Sequence, residues 1–182
     1  MIHKPNATEM TLRTAIFLWI FAVNIGALIF LEGSVLQAWP MYLACIFFLL
    51  EGGTLRHALH AFGGGMFGMV CALALALGLN KMAPTLGLLG ALAILLFIIL
   101  GVIIVGGGIA PVVLNNTAFG YLTVCTIHIE EVPARFGDWI FMLIVGGLII
   151  NAGLFAIEKG LGLYLAKKAA RKAMPADTQA NL

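Results

Sequence analysis

Four ionisable residues crowd one short stretch of an otherwise apolar chain: Glu51, Arg56, His57 and His60. On a helix, Arg56 and His60 are four apart and His57 and His60 three apart, so both pairs share a face. Glu51 stands just before Gly52-Gly53 and could fold back to pair with Arg56. An ionisable group at mid-depth in a bilayer costs about 2.5–3.5 kcal/mol on insertion scales, so the cluster needs a reason. Three readings are open. The charges could belong to a solvated cytoplasmic loop, line the polar entrance or gate of a solute pathway, or hold a metal. His-x-x-His lacks a third firm ligand, so neither metal nor cofactor is expected. A histidine titrates near neutrality and could gate a path by pH.

A second polar group, Asn115-Asn116-Thr117, follows Pro111 and precedes Ala118-Phe119-Gly120. Asparagine is a good N-cap, and one in this place could start a half-helix running from Ala118 to His128. Broken helices survive in membranes only where the freed backbone is buried in protein or lines a cavity, and there they aim helix N-termini at a solute. Asn115, Asn116, Thr117 and Phe119 are therefore candidate pathway residues. Asn24 and Asn151, alone in apolar runs, read as hydrogen-bonding glue between helices. Nothing suggests an enzyme. Ser34 is the one serine, and Glu130-Glu131 beside His128 reads as a solvated face. No Gly-x-x-x-x-Gly-Lys-Ser/Thr phosphate cradle occurs, which excludes an ATP-driven machine on this chain alone. Cys45, Cys71 and Cys125 are widely spaced in apolar runs and read as small packing residues.

The elements that must position these groups are set by composition. Of 182 residues, 62% are hydrophobic and only 10% charged. A water-soluble domain runs at about 25% charged and could not bury so much apolar surface at this length. A net charge of +2 gives no basic face for nucleic acid. The expected fold class is an all-α polytopic membrane helix bundle with about six apolar segments: Thr14–Leu31, Trp39–Gly52, Leu55–Leu79, Thr85–Val105, Ile109–Ile129 and Trp139–Ile157. The second is short and the fifth interrupted, so four crossings plus re-entrant segments is the competing count. The first run lacks a good cleavage site and reads as an uncleaved span. Residues 1–174 form one transmembrane domain, and 175–182 a short polar tail.

Basic residues orient the spans. Lys159, Lys167, Lys168, Arg171 and Lys172 follow the last segment and Lys4 and Arg13 precede the first, so both termini are expected in the cytoplasm. The loop from Glu51 to Arg56 then lies inside and Glu130 to Asp138 outside, with Lys81 as weak counter-evidence. Gly64 and Gly68 form Gly-x-x-x-Gly in an apolar run, a spacing that lets helix backbones approach closely. Gly146, Gly147, Ala152 and Gly153 suit the same use on the last span.

The run Trp39 to Ala72, with Gly52-Gly53 and Arg56 soon after, resembles the bacterial inner-membrane proteins of the domain of unknown function 1097 family. Asn116-Thr117-Ala118-Phe119-Gly120 is similar to that family's Gly-Thr-Phe-x-Gly element, with Asn116 in place of glycine and Ala118 additional. Asp138-Trp139 and the basic C-terminal helix also fit. The resemblance implies a small multi-span protein of the bacterial inner membrane and supplies no activity or substrate.

The residues together point to a channel or facilitator for a small polar solute, neutral or weakly charged, working without ATP as a homo-oligomer in the lipid bilayer. A multiply charged ion would want more charged lining groups. The alternative is a non-transporting scaffold or accessory subunit, in which the polar residues are glue.

Overall fold

The computed structural model describes residues 7–173, and every regular element in that range is a helix. The polar tail expected at 175–182 and Lys4 lie outside the described residues. Three helical stretches are long and apolar enough to cross a membrane: Glu9–Leu31, Leu55–Gly106 and Val132–Lys168. The chain divides into two compact units, one built from its start to Ile29 and from Ala152 onward, the other from Phe30 to Asn151.

The first unit pairs most of α1 (Ala7–Leu31) with the greater part of α6 (Gly147–Ala173). At about 1.5 Å per residue, the 25 residues of α1 reach about 37 Å, enough for a hydrocarbon core about 30 Å thick. Trp19 lies over Gly153 so closely that a Cβ there would overlap the indole. Lys159 holds its ammonium 5.0 Å from the centre of the Phe155 ring.

The second unit begins with α2 (Trp39–Leu50), started by Pro40 in its first turn, where a missing N–H costs nothing. Its end is locally determined. Gly52 N–H donates to the Leu49 carbonyl at 3.2 Å and Gly53 N–H to Phe48 at 2.9 Å, the paired bonds of a Schellman motif. That motif needs left-handed backbone, which Gly52 (φ 100°) and Gly53 (φ 70°) supply. Thr54 then caps α3, its hydroxyl accepting from His57 N–H at 3.4 Å.

Helix α3 (Leu55–Gly106) has 52 residues, about 78 Å if straight, more than twice what a bilayer core accommodates. It is broken instead at Gly87, with φ 73° and ψ 158°, three residues after Pro84. Gly78 and Leu95, nearly equidistant from that break, meet each other. The two arms are thus a hairpin, and they correspond to the third and fourth expected segments. The turn falls at Gly87 rather than at Asn80 to Pro84, because α-helix continues through Lys81.

The fifth expected segment, Ile109–Ile129, is not one helix. Turns occupy 107–115 and only α4 (Asn116–Ile127) is helical, twelve residues or about 18 Å. The half-helix expected from Ala118 to His128 is present, started by Asn115 and running from Asn116 to Ile127. The stretch expected as an exterior loop, Glu130 to Asp138, is also corrected. It contains most of α5 (Val132–Phe141), begun by Pro133 and laced by Arg135 to Glu131 (3.8 Å) and to Asp138 (4.0 Å) at helical spacing. One π-turn, Met142–Gly146, joins α5 to α6.

Glycines set how closely these helices meet. A Cβ on Gly68 would strike the Ala118 carbonyl, one on Gly120 the Phe47 ring, and one on Gly146 the Met41 side chain. The Gly64–Gly68 spacing therefore acts within the chain, seating α4 on α3.

Candidate functional site

Asn115 is the pivot of the site. Its side-chain oxygen accepts from Thr117 N–H (2.9 Å) and Ala118 N–H (3.1 Å), capping α4. Its amide donates to the carbonyls of Pro111 (3.0 Å), Val112 (3.1 Å) and, 55 residues away on α3, His60 (3.2 Å). Only a glycine at 64 permits this, since a Cβ would fall on the Asn115 amide. Through one side chain the break before α4 is tied to the α2–α3 turn.

At that turn Glu51 and His60 face each other, Oε2 to Nδ1 at 3.6 Å. The partner foreseen for Glu51 was Arg56. Arg56 is exposed and in no ion pair among the described residues; Glu51 has His60 opposite it instead. His57 is held by Thr54, Nδ1 to Oγ1 at 3.0 Å, with its ring centre 6.3 Å from that of His60.

Five buried side-chain atoms among the described residues have no hydrogen-bond partner: Glu51 Oε2, His60 Nε2, Thr117 Oγ1 and both amide atoms of Asn151. Thr117 is 0% exposed and Asn151 4%. Helical register brings Asn151 to the same end of the unit. Leu143 meets Gly65 and Gly147 meets Phe62, so α6 runs antiparallel to the start of α3; Met41 meets Gly146 and Ala44 meets Gly147, so it runs parallel to α2. One turn past Gly147, Asn151 therefore stands level with the end of α2 and the beginning of α3, where Glu51 and His60 are. Thr117 lies one turn before Tyr121, whose ring lies against Gly65. Ala44, against Gly147, and Ala61 are wholly buried.

The opposite end of the unit carries polar groups of another kind. Gln37 Oε1 accepts from both indoles, Trp139 at 2.9 Å and Trp39 at 3.2 Å, and the two rings meet edge to face at 5.1 Å. Tyr121 donates its hydroxyl proton to the Pro40 carbonyl, and Arg135 donates to the Val35 carbonyl at 2.7 Å. Here aromatic bulk fills the interior.

Of the residues read from sequence, Glu51, His60 and Asn115 converge directly, Thr117 follows Asn115 into the interior, and His57 flanks them. Asn116 and Phe119 are exposed on the first turn of α4. Asn151 was read as glue, yet it has no hydrogen-bond partner; its isolation in an apolar helix was the available signal. No three His, Cys, Asp or Glu side chains among the described residues could jointly hold a metal ion. The sequence matches no family model, no curated protein and no solved structure.

Proposed function

We propose that this chain is a channel or facilitator for a small polar solute in a bacterial inner membrane, working without ATP and as a homo-oligomer. In this reading α1, α2, the two arms of α3, α4 and the α5–α6 helix make six passages, the short α2 and α4 shielded by their neighbours, with both termini cytoplasmic. Kinship with the domain of unknown function 1097 family belongs to the same proposal.

One observation carries it. Burying a polar atom without a partner costs about 1–3 kcal/mol, and a stable scaffold would shed that cost by placing an apolar residue there. Five such atoms among the described residues of one unit, those of Glu51 and His60 on side chains that face each other, are the expected lining of a path that exchanges solute. Asn115 favours the rival scaffold reading, since all its bonds are internal. The buried side chains of Thr117 and Asn151 have none to lose.

The test uses thiol accessibility and flux together. In a background with Cys45, Cys71 and Cys125 replaced by alanine, Asn151→Cys should react with a small water-soluble thiol reagent and Ile98→Cys should not. Asn151→Leu should insert normally and lose solute flux in proteoliposomes at least tenfold. Protection of position 151 with unchanged flux would transfer preference to the scaffold.

A further inference from the structure

We infer that a second copy of this chain packs against α1 along the seam Met10, Thr14, Phe17, Phe21, Asn24 and Leu28, with Asn24 hydrogen-bonded to Asn24 of the partner subunit. The inference rests on the homo-oligomer part of the proposed function, and names the surface and the group that join the copies.

The seam follows from spacing. Its positions alternate steps of four and three residues, the heptad pattern that keeps two α-helices in contact along a left-handed supercoil. They stay within about 80° of one another around the helix. All six are exposed. The side of α1 that meets α6 is a different one. There Trp19 lies over Gly153, and Ile16, Ile20, Val23 and Ala27 on that side are half-buried.

An apolar seam alone does not identify what covers it, since lipid tails are as apolar as leucine. Asn24 does. It lies about 10 Å inside the Leu31 end of the apolar stretch Glu9–Leu31. Its side chain is exposed and makes no hydrogen bond among the described residues. Hydrocarbon offers that amide neither donor nor acceptor. Thr14, the other polar member, donates its hydroxyl to the Met10 carbonyl at 2.8 Å and needs no outside partner. An amide carries an acceptor oxygen and N–H donors, so two of them across a two-fold axis exchange a reciprocal pair of bonds. Copies inserted in one orientation present parallel α1 helices, and in register residue 24 meets residue 24. A second copy thus supplies the matching group by necessity, where a different protein would supply it by coincidence. One asparagine in such a seam also fixes register and strand number, which its apolar neighbours do not. Phe17 and Phe21, stacked with ring centres 6.1 Å apart, form a continuous apolar surface just before the amide.

The full chain, with Cys45, Cys71 and Cys125 replaced by alanine, receives one cysteine at a time and is oxidised in bacterial membranes. Phe21→Cys and Leu28→Cys should form disulfide-linked dimers at least fivefold more than Val23→Cys, on the α6-facing side. Energy transfer between labelled copies diluted in lipid measures their affinity. Asn24→Leu should weaken it about fivefold, and Asn24→Gln, which keeps the amide, by less. Sedimentation of the purified protein gives the oligomeric state independently. An oligomer without cross-links at either seam position overturns the inference and leaves the homo-oligomer standing. A monomer overturns both, while the facilitator is still judged by flux at Asn151. Cross-linking to a protein of another mass overturns the second copy as occupant. Equal cross-linking at Val23→Cys overturns the seam, and an affinity indifferent to Asn24→Leu overturns the amide pair.

Discussion

The two ends of the Phe30–Asn151 unit both bury polar side chains between helices, and they treat them in opposite ways. At the aromatic end the indole, phenol and guanidinium donors have partners: one carbonyl oxygen of Gln37 serves two indoles, Tyr121 finds Pro40, and Arg135 finds Val35. At the other end Thr117 and Asn151 are more deeply buried than Gln37, yet unpaired. Burial therefore does not separate structure from function here. Satisfaction does. A completed network rigidifies, while an incomplete one at similar depth retains bonding capacity for something that arrives.

The contrast can be broken most severely at its foundation. Gly64→Leu removes the only space in which Asn115 can sit, so α4 loses both its cap and its seat on α3. We expect little folded protein, read as monodisperse yield in detergent. The next effect is large and specific to the satisfied end. Gln37→Leu strands the buried Trp139 indole N–H at about 1–3 kcal/mol, and the half-buried one of Trp39 at less, so thermal stability falls while flux through the polar end persists. At the unsatisfied end the sign reverses. Thr117→Val deletes a hydroxyl with no partner and should leave the melting temperature equal or higher, with flux reduced about tenfold. A lower melting temperature there would mean that Thr117 is bonded after all. The smallest effect is expected at Phe119→Ala, whose ring is 47% exposed on the outer face of α4: neither stability nor flux changes measurably.

Much of the fold was legible because it depends on local rules. Composition pointed to helices long and apolar enough to cross a membrane, and three are present among the described residues; Gly64-x-x-x-Gly68 announced a close helix contact. Pro111 with Asn115 announced a broken helix. Pro133 was equally available as a helix initiator but was outweighed by the surrounding charge, which reads as loop until Glu131, Arg135 and Asp138 are seen to pair at helical spacing. The site was legible in pieces only. Glu51 and Asn115 each stood out, but their association runs through a backbone carbonyl of His60, and a carbonyl has no sequence signature. Asn151 enters through helix register, which a period of 3.6 predicts only when the helix is regular throughout.

It is not regular throughout. The π-turn at Met142–Gly146 winds one additional residue into a single turn, and an additional residue amounts to about 100° of azimuth. Every position beyond it has its phase set by that one insertion. Deleting Val145 would restore plain α-helix and swing Asn151 by the same angle from its buried position, with sequence composition almost untouched. Length variation at this point would act as a dial on which side chain the C-terminal helix presents to the interior. Accessibility of Asn151→Cys with and without the deletion would show whether the dial turns.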